Sequence, residues 1–181
     1  MKPFARENRA LLLWGTAGLL AGPAAAAVVW FASAAAFVTV PSNTPKFAGA
    51  QGREHDFTEI LASTDKTGGA LGVVRQTIAP HSGPPVHSHH GNDEFIYIES
   101  GTFKVKIGDA LQDAPAKSFV FVPRDTPHAF MNIGTEPGTL LVGVTPGGFE
   151  KLFEERQGVD KAREAELFKS HQTDIIGPPL K

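Results

Sequence analysis

The chain has 181 residues, of which 41% are hydrophobic and 20% charged, and it contains no cysteine. This length suits one domain, the hydrophobicity and charge exclude a disordered chain, and the lack of cysteine excludes disulfides, thiolate zinc sites and cysteine nucleophiles within it. With 17 basic and 19 acidic residues, and a formal net charge of −2, the chain is not suited to bind nucleic acid.

Apolar residues are concentrated near the amino end. Residues 10–40 contain no Asp, Glu, Lys, Arg or His, and Lys2, Arg6 and Arg9 precede them. A basic flank before a long apolar run is typical of an export signal or a membrane anchor, and this run exceeds the roughly 20 residues that span a bilayer. A buried core helix is a weaker interpretation, because few core helices are apolar on all faces over such a length.

Two interpretations of residues 10–40 stay open. In the first, residues 11–20 are the apolar part of a signal peptide and the alanines at 24–26 mark its cleavage. In the second, residues 18–38 remain as a transmembrane helix, which the continuing apolar residues up to Val38 favour. The basic flank then predicts that the rest of the chain lies outside the cytoplasm, anchored in the cell envelope, or secreted or periplasmic if the signal is cleaved.

The chain after residue 40 divides into three parts by composition. Residues 41–67 are turn-rich and predict a linker with the first strands, residues 68–146 predict a β barrel, and residues 147–181 predict a helical tail. Without residues 1–40 the chain has 14 basic and 18 acidic residues, so an anionic lipid surface is not its natural partner.

Short runs of β-branched and aromatic residues recur through the predicted barrel. The predicted strands are 70–78, 94–99, 102–107, 118–122, 128–133 and 139–145. Ser100-Gly101 predicts a hairpin between the second and third of these strands. Such spacing is typical of an antiparallel sandwich or barrel. The charged segments 149–157 and 160–172 have helical character, and Gly158 separates them.

The five phenylalanines of the predicted barrel are interpreted as core residues rather than as contacts to an aromatic substrate. These are Phe95, Phe103, Phe119, Phe121 and Phe130. Tyr97 is expected on the opposite face of its strand from Glu94, where a catalytic phenol is improbable.

Histidines and one glutamate form the most informative pattern in the chain. His87 and His89 are two residues apart, so on a strand they present two imidazoles to one point. Glu94 is an odd number of residues from both and joins them only if residues 91–93, Gly-Asn-Asp, form a turn or bulge. His128, on a later strand, can supply a third imidazole.

Three imidazoles and one carboxylate bind a divalent transition metal well and leave positions open for a substrate or dioxygen on a metal that prefers six ligands. A lone histidine is more often structural, but the four residues together predict a metal site. Iron, manganese, nickel, cobalt and zinc all accept this set, so the metal is not identified. His90 is expected to be exposed or to support a ligand, His81 to lie in a loop, and Asn132 to orient His128, to line the pocket or to be a plain strand residue.

The spacing of these residues resembles the two motifs of the cupin superfamily. Gly83, His87, His89, Glu94 and Gly101 are similar to the first motif, and the segment from Pro123 through His128 to Asn132 is similar to the second. Lys117 and Asp125 stand where the second motif usually has glycine, which bears on loop geometry more than on the ligands. The likeness covers roughly residues 70–146.

This resemblance implies an all-β double-stranded β-helix with a metal at His87, His89, Glu94 and His128. Within the superfamily the chain is similar to small quercetin-dioxygenase-like cupins, which implies a metal-dependent oxygenase acting on a small organic molecule, plausibly phenolic, and edge-strand homodimers. Glu94 is expected to act catalytically as well, as a proton acceptor whose basicity the apolar barrel tunes towards neutral pH. A non-catalytic binding or sensing cupin and a metal-dependent isomerase remain open, because the fold hosts many functions.

Overall fold

The computed structural model describes residues 46–48 and 56–181. The signal or membrane-anchor segment predicted for residues 10–40, with its hydrophobic helix, lies outside these residues. Across the described ranges, no helix combines the length and the apolar character needed to cross a bilayer.

Strands dominate the part of the chain that the structure describes. They are β1 (Lys46–Ala48), β2 (Phe57–Ala62), β3 (Gly72–Ile78), β4 (Pro85–His89), β5 (Asp93–Ser100), β6 (Thr102–Ile107), β7 (Ala110–Pro115), β8 (Phe119–Val122), β9 (His128–Asn132), β10 (Gly138–Thr145) and β11 (Thr173–Pro179). The helices are α1 (Thr64–Thr67), α2 (Leu152–Glu155) and α3 (Lys161–Ser170), with a single 3-10 turn at Phe149–Lys151 before α2.

The strands form two antiparallel sheets. The first has the order β1-β2-β3-β10-β5-β8, and the second has the order β11-β4-β9-β6-β7. The chain crosses between the sheets after β3, β4, β5, β7, β8, β9 and β10, and this repeated crossing gives a double-stranded β-helix. The predicted all-β class and architecture are confirmed for the described residues.

The hydrophobic core lies between the two sheets. Ile96 and Ile98 of β5, Phe103 of β6 and Leu140 of β10 are each at most 1% exposed. Burial alternates along β5, so Glu94 points inward with the two isoleucines. The side chains of a strand alternate between the two faces of a sheet, which is why Tyr97 lies on the other face, as predicted.

Strand β8 is where the predicted core is wrong. Phe119 and Phe121 are 64% and 55% exposed, whereas Phe103 and Phe130 are buried as predicted. Residues 119–122 are apolar at every position, so the pattern alone cannot tell which face of the strand is buried. In the structure β8 is an edge strand and only Val122 is buried.

The carboxy-terminal tail is only partly helical. The predicted helix is present as α3, and Asp160 caps it by accepting a hydrogen bond from the Arg163 N–H at 2.9 Å. The helical prediction is wrong for β11, which pairs antiparallel with β4. β11 is an edge strand, and the main-chain groups on the outer side of an edge strand need no hydrogen-bond partner. Proline, which has no main-chain N–H to donate, is therefore tolerated in this strand.

Two glycines of the first motif are required by geometry. A Cβ atom on Gly83 would lie 1.9 Å from the Phe130 carbonyl oxygen, so only glycine permits this close approach of two backbones. Gly101 has a φ of +88° in the turn between β5 and β6, a conformation that glycine adopts without strain. The turn is present, but the hairpin predicted there is wrong, because β5 and β6 lie in different sheets and do not pair with each other.

The second motif keeps its backbone shape without its glycines. Lys117 and Asp125, which stand at the usual glycine positions, have φ values of +74° and +64°. The left-handed region is costly for a residue with a Cβ, although aspartate tolerates it better than lysine. The loops are therefore preserved at the expense of some backbone strain, chiefly at Lys117.

The substitution Lys117→Gly is expected to stabilise the protein. It removes left-handed strain of about 1 kcal/mol, and the entropy lost by glycine on folding offsets part of this gain. We expect the melting temperature to rise by up to about 2–4 °C in thermal unfolding. The control Lys106→Gly, within β6, should lower it, and a lower melting temperature for Lys117→Gly would contradict the strain argument.

Candidate metal centre

The four predicted ligands meet between the two sheets. His87 and His89 lie on β4, and His128 begins β9 directly opposite His87 in the antiparallel register. Residues 90–92 turn the chain from the second sheet into the first, which places Glu94 beside the histidines. The turn that the odd spacing of Glu94 required is therefore present at the predicted position.

The ligand atoms of the four side chains all lie within 4.8 Å of one another. Glu94 Oε2 lies 3.1 Å from His89 Nε2, and Glu94 Oε1 lies 3.5 Å from His128 Nε2. Metal–ligand bonds of about 2.1 Å separate ligand atoms by at most about 4.2 Å, so the cluster has nearly the size that one ion needs. All four side chains are buried, and His89 and His128 are each 1% exposed.

Main-chain carbonyls set the tautomer of two of the histidines. Nδ1 of His87 lies 2.8 Å from the Pro85 oxygen, and Nδ1 of His128 lies 2.9 Å from the Thr126 oxygen. Because a carbonyl oxygen can only accept, each Nδ1 must carry a proton and donate it. In the neutral rings, Nε2 therefore presents a lone pair to Glu94.

Thr173, in the carboxy-terminal tail, sets the tautomer of His89. Nδ1 of His89 lies 2.8 Å from Thr173 Oγ1, and this hydroxyl donates its own proton to the His171 oxygen at 3.1 Å. The hydroxyl then accepts from Nδ1–H of His89, so Nε2 of this ring also carries a lone pair. Sequence reasoning missed Thr173, and no local pattern marks it.

When its three rings are neutral, the site is a set of acceptors without a donor. Three Nε2 lone pairs and an ionised carboxylate converge, and Nε2 of His128 is buried without a hydrogen-bond partner. Acceptors this close in a buried place need a proton or a cation between them. The donor set is compatible with a divalent transition metal, which three imidazoles and a carboxylate bind well.

Electrostatics keep His87 and Glu94 in the forms that can bind a metal. Burial, together with the neighbouring His128 and His89, lowers the pKa of His87 to about 3, so its ring is neutral. Burial alone would raise the pKa of Glu94, but His128 and His89 outweigh it and hold this pKa below its usual value. The tuning of Glu94 towards neutral pH that the sequence suggested is therefore wrong for the metal-free cluster.

His128 is the member of the cluster that holds a proton most readily. Burial opposes its charge, but the ionised Glu94 outweighs burial and raises the pKa of His128. A bound metal must displace this proton, because only a neutral imidazole coordinates.

A largely apolar cavity opens beside the cluster on the side of His87 and Glu94, whose side chains line it. His89 and His128 are not among its lining residues. The tail that follows the barrel supplies a large part of the wall through Phe149, Leu152, Phe153, Arg156, Phe168 and Ile175. A ligand in this cavity would lie beside His87 and Glu94 of the candidate metal centre.

The other predicted residues lie outside the cluster. His90 is exposed between Asp125 at 2.6 Å and Asp174 at 3.1 Å, and His81 lies in the exposed turn after β3. Asn132 is fully buried, but its amide donates to the carbonyls of Ile78 and Glu136. It neither orients His128 nor lines the cavity, so its role is structural.

Comparisons with known proteins agree with the geometry of the site. The family model described as "Cupin domain" matches residues 74–144. Protein SchB of Streptomyces halstedii is 27% identical over 113 residues, which cover 61% of this chain and 75% of that protein.

Two solved structures show the same fold. An RmlC-like cupin from Shewanella frigidimarina has a TM-score of 0.52 and 17% identity, over 62% of this chain and 93% of its own. A predicted oxalate decarboxylase from Thermotoga maritima has a TM-score of 0.52 and 18% identity, over 57% of this chain and 91% of its own. Residues 74–144 therefore match the cupin domain model and have the fold of these two structures, as the two motifs predicted.

Loss of one ligand should abolish metal binding. The variant His87→Ala removes one of three imidazole ligands, so the metal retained after purification should fall from about one ion per chain to near zero by elemental analysis. The matched control is His90→Ala, which removes an exposed histidine three residues further on and should retain the metal. Equal metal contents in the two variants would contradict the ligand assignment.

Metal affinity should rise with pH. Because the pKa of His128 is raised, the fraction of chains with a proton on this ring falls as the pH increases from 6 to 8. Calorimetric titration of the metal-free protein should show tighter binding at pH 8 than at pH 6. Titrations in buffers of different ionisation enthalpy should show proton release. An affinity independent of pH, with no proton released, would be the opposite result.

Proposed function

We propose that this protein is a metal-dependent cupin enzyme that acts on a small organic molecule, and that it is an oxygenase of the quercetin-dioxygenase-like kind. The observation that carries this proposal is the buried cluster of three imidazoles and one carboxylate beside an apolar cavity. A divalent metal held there would act as a Lewis acid on a substrate oxygen. Fold alone would not support a reaction, because cupins host many.

The wall of the cavity favours an aromatic or otherwise apolar substrate body. Its apolar lining includes Phe130 and Val142 of the barrel and Phe149, Leu152 and Phe153 of the tail. These side chains offer an apolar surface in the same cavity that the polar side chains of His87 and Glu94 line. A phenolic or enolisable substrate has this division into an apolar body and an acidic oxygen.

Arg156 adds a positive charge to the same wall. Its side chain is 10% exposed and lines the cavity, and its guanidinium donates to Glu164 Oε1 of α3 at 2.7 Å. A guanidinium held in place by a carboxylate can stabilise an anionic oxygen of a bound molecule. This charge supports a substrate that enters as a phenolate, an enolate or a carboxylate.

Glu94 is the group proposed to handle a substrate proton. It lines the cavity, and its carboxylate is ionised and contacts His89 and His128. Its position between the ligand cluster and the cavity lets it accept a proton from a molecule bound there. Its lowered pKa makes it a weak base, which restricts this role to substrates with an acidic proton.

A test of this proposal is oxygen uptake by the metal-loaded full chain on addition of a flavonol or a catechol. We expect consumption that depends on substrate and is lost in His87→Ala but kept in His90→Ala. Turnover without oxygen uptake would favour an isomerase. Release of carbon dioxide from oxalate without oxygen uptake would favour a decarboxylase, the activity predicted for the structurally similar protein of Thermotoga maritima. Binding without turnover would favour the non-catalytic binding cupin, and any of these outcomes would overturn the oxygenase proposal.

A further inference from the structure

We propose that Thr173 is a positioning residue of the metal centre. Its hydroxyl fixes the tautomer of His89, so the carboxy-terminal strand β11 contributes to the site. This inference rests on the metal binding proposed above. Thr173 lies well beyond residue 144, where the match to the cupin domain ends. The residue therefore belongs to this chain's own tail and not to the two cupin motifs.

The place of Thr173 is set by the sheet. Thr173 is 1% exposed and is paired with His89 in the antiparallel register of β11 and β4. His90, the residue after His89, donates its main-chain N–H to the oxygen of Gln172, the residue before Thr173, at 2.8 Å. The hydroxyl and the ring of His89 are therefore brought together by main-chain pairing, which limits their freedom to separate.

His89 differs from the other two histidines in what holds it. His87 and His128 each donate from Nδ1 to a main-chain carbonyl two residues earlier in the chain, which no side-chain substitution removes. His89 depends on a side-chain hydroxyl 84 residues away. The tautomer of this one ring is thus controlled by the tail.

The hydroxyl favours the tautomer that can bind a metal. Its proton is committed to the His171 oxygen, so it accepts from Nδ1–H of His89 and leaves Nε2 with a lone pair. Without the hydroxyl, Nδ1–H would be a buried donor with no acceptor, which is unfavourable. The ring would then favour the Nε2–H tautomer, whose proton can go to Glu94 Oε2, only 3.1 Å away.

The Nε2–H tautomer opposes metal binding. Its proton occupies the nitrogen that faces the cluster, and it neutralises part of the charge of Glu94 that would otherwise meet a cation. Removing an outer partner of a metal-binding histidine typically weakens metal binding by 10–100-fold. We expect an effect in this range at Thr173, although the residue would not touch the metal.

The experiment uses the full chain with the isosteric variant Thr173→Val and the conservative variant Thr173→Ser. The matched control is Thr58→Val, since Thr58 is also 1% exposed but does not contact a ligand. Zn²⁺ affinity is measured by competition with a chromophoric chelator, and the tautomer of His89 by ¹⁵N–¹H NMR of the metal-free protein. Thermal unfolding checks that each variant is folded, and Thr173→Ala replaces Thr173→Val if the latter is not.

For Thr173→Val we expect a Zn²⁺ dissociation constant raised 10–100-fold and a shift of His89 towards Nε2–H. Thr173→Ser should restore both, and Thr58→Val should change neither. A folded Thr173→Val with unchanged affinity and an Nδ1–H tautomer would overturn the inference. If the unsubstituted chain itself bound no metal, the proposed function would fail, whereas the NMR measurement would still decide the role of Thr173.

Discussion

The convergence of three imidazoles on one buried carboxylate is the constraint on which the rest of the site depends. His87, His89 and His128 each direct Nε2 towards Glu94, because an acceptor occupies the Nδ1 side of every ring. Such a cluster of acceptors is unfavourable in a core unless a proton or a cation lies within it. The surrounding barrel keeps the cluster in place, because ligands from both sheets must stay in register for it to exist.

The tail after the barrel contacts one of these three histidines, His89, through two residues. Thr173 contacts the ring of His89, and Phe149 packs on the same ring with the centroids 4.2 Å apart. The tail also lines the cavity beside the metal centre and brings Arg156 into its wall. The cupin domain alone would therefore have a more open site, with one histidine less firmly held. The candidate metal centre therefore combines residues of the segment that matches the cupin model with a residue from outside that segment.

The candidate site was largely predictable because its signal is local. The two-residue spacing of His87 and His89 places both side chains on one face of the strand. The turn-forming residues before Glu94 explain how its side chain can lie beside them although it is an odd number of residues away. The partnership with His128 was inferred from donor chemistry and from the resemblance to cupins. The quercetin-dioxygenase-like subtype, the envelope location and the homodimer stay predictions, since none of them follows from the arrangement of the described residues.

By itself the sequence determined the strands β3, β5, β6, β8, β9 and β10, the turn at Gly101 and the grouping of the histidines with Glu94, because these follow from the alternation and chemistry of neighbouring residues. Only the tertiary structure decided that Phe119 and Phe121 are exposed on an edge strand. It also decided that Thr173 contacts the ring of His89, a histidine 84 residues away. The physical reason is the same in both cases: burial and long-range hydrogen bonds depend on which strands become neighbours, and no short stretch of sequence contains that information.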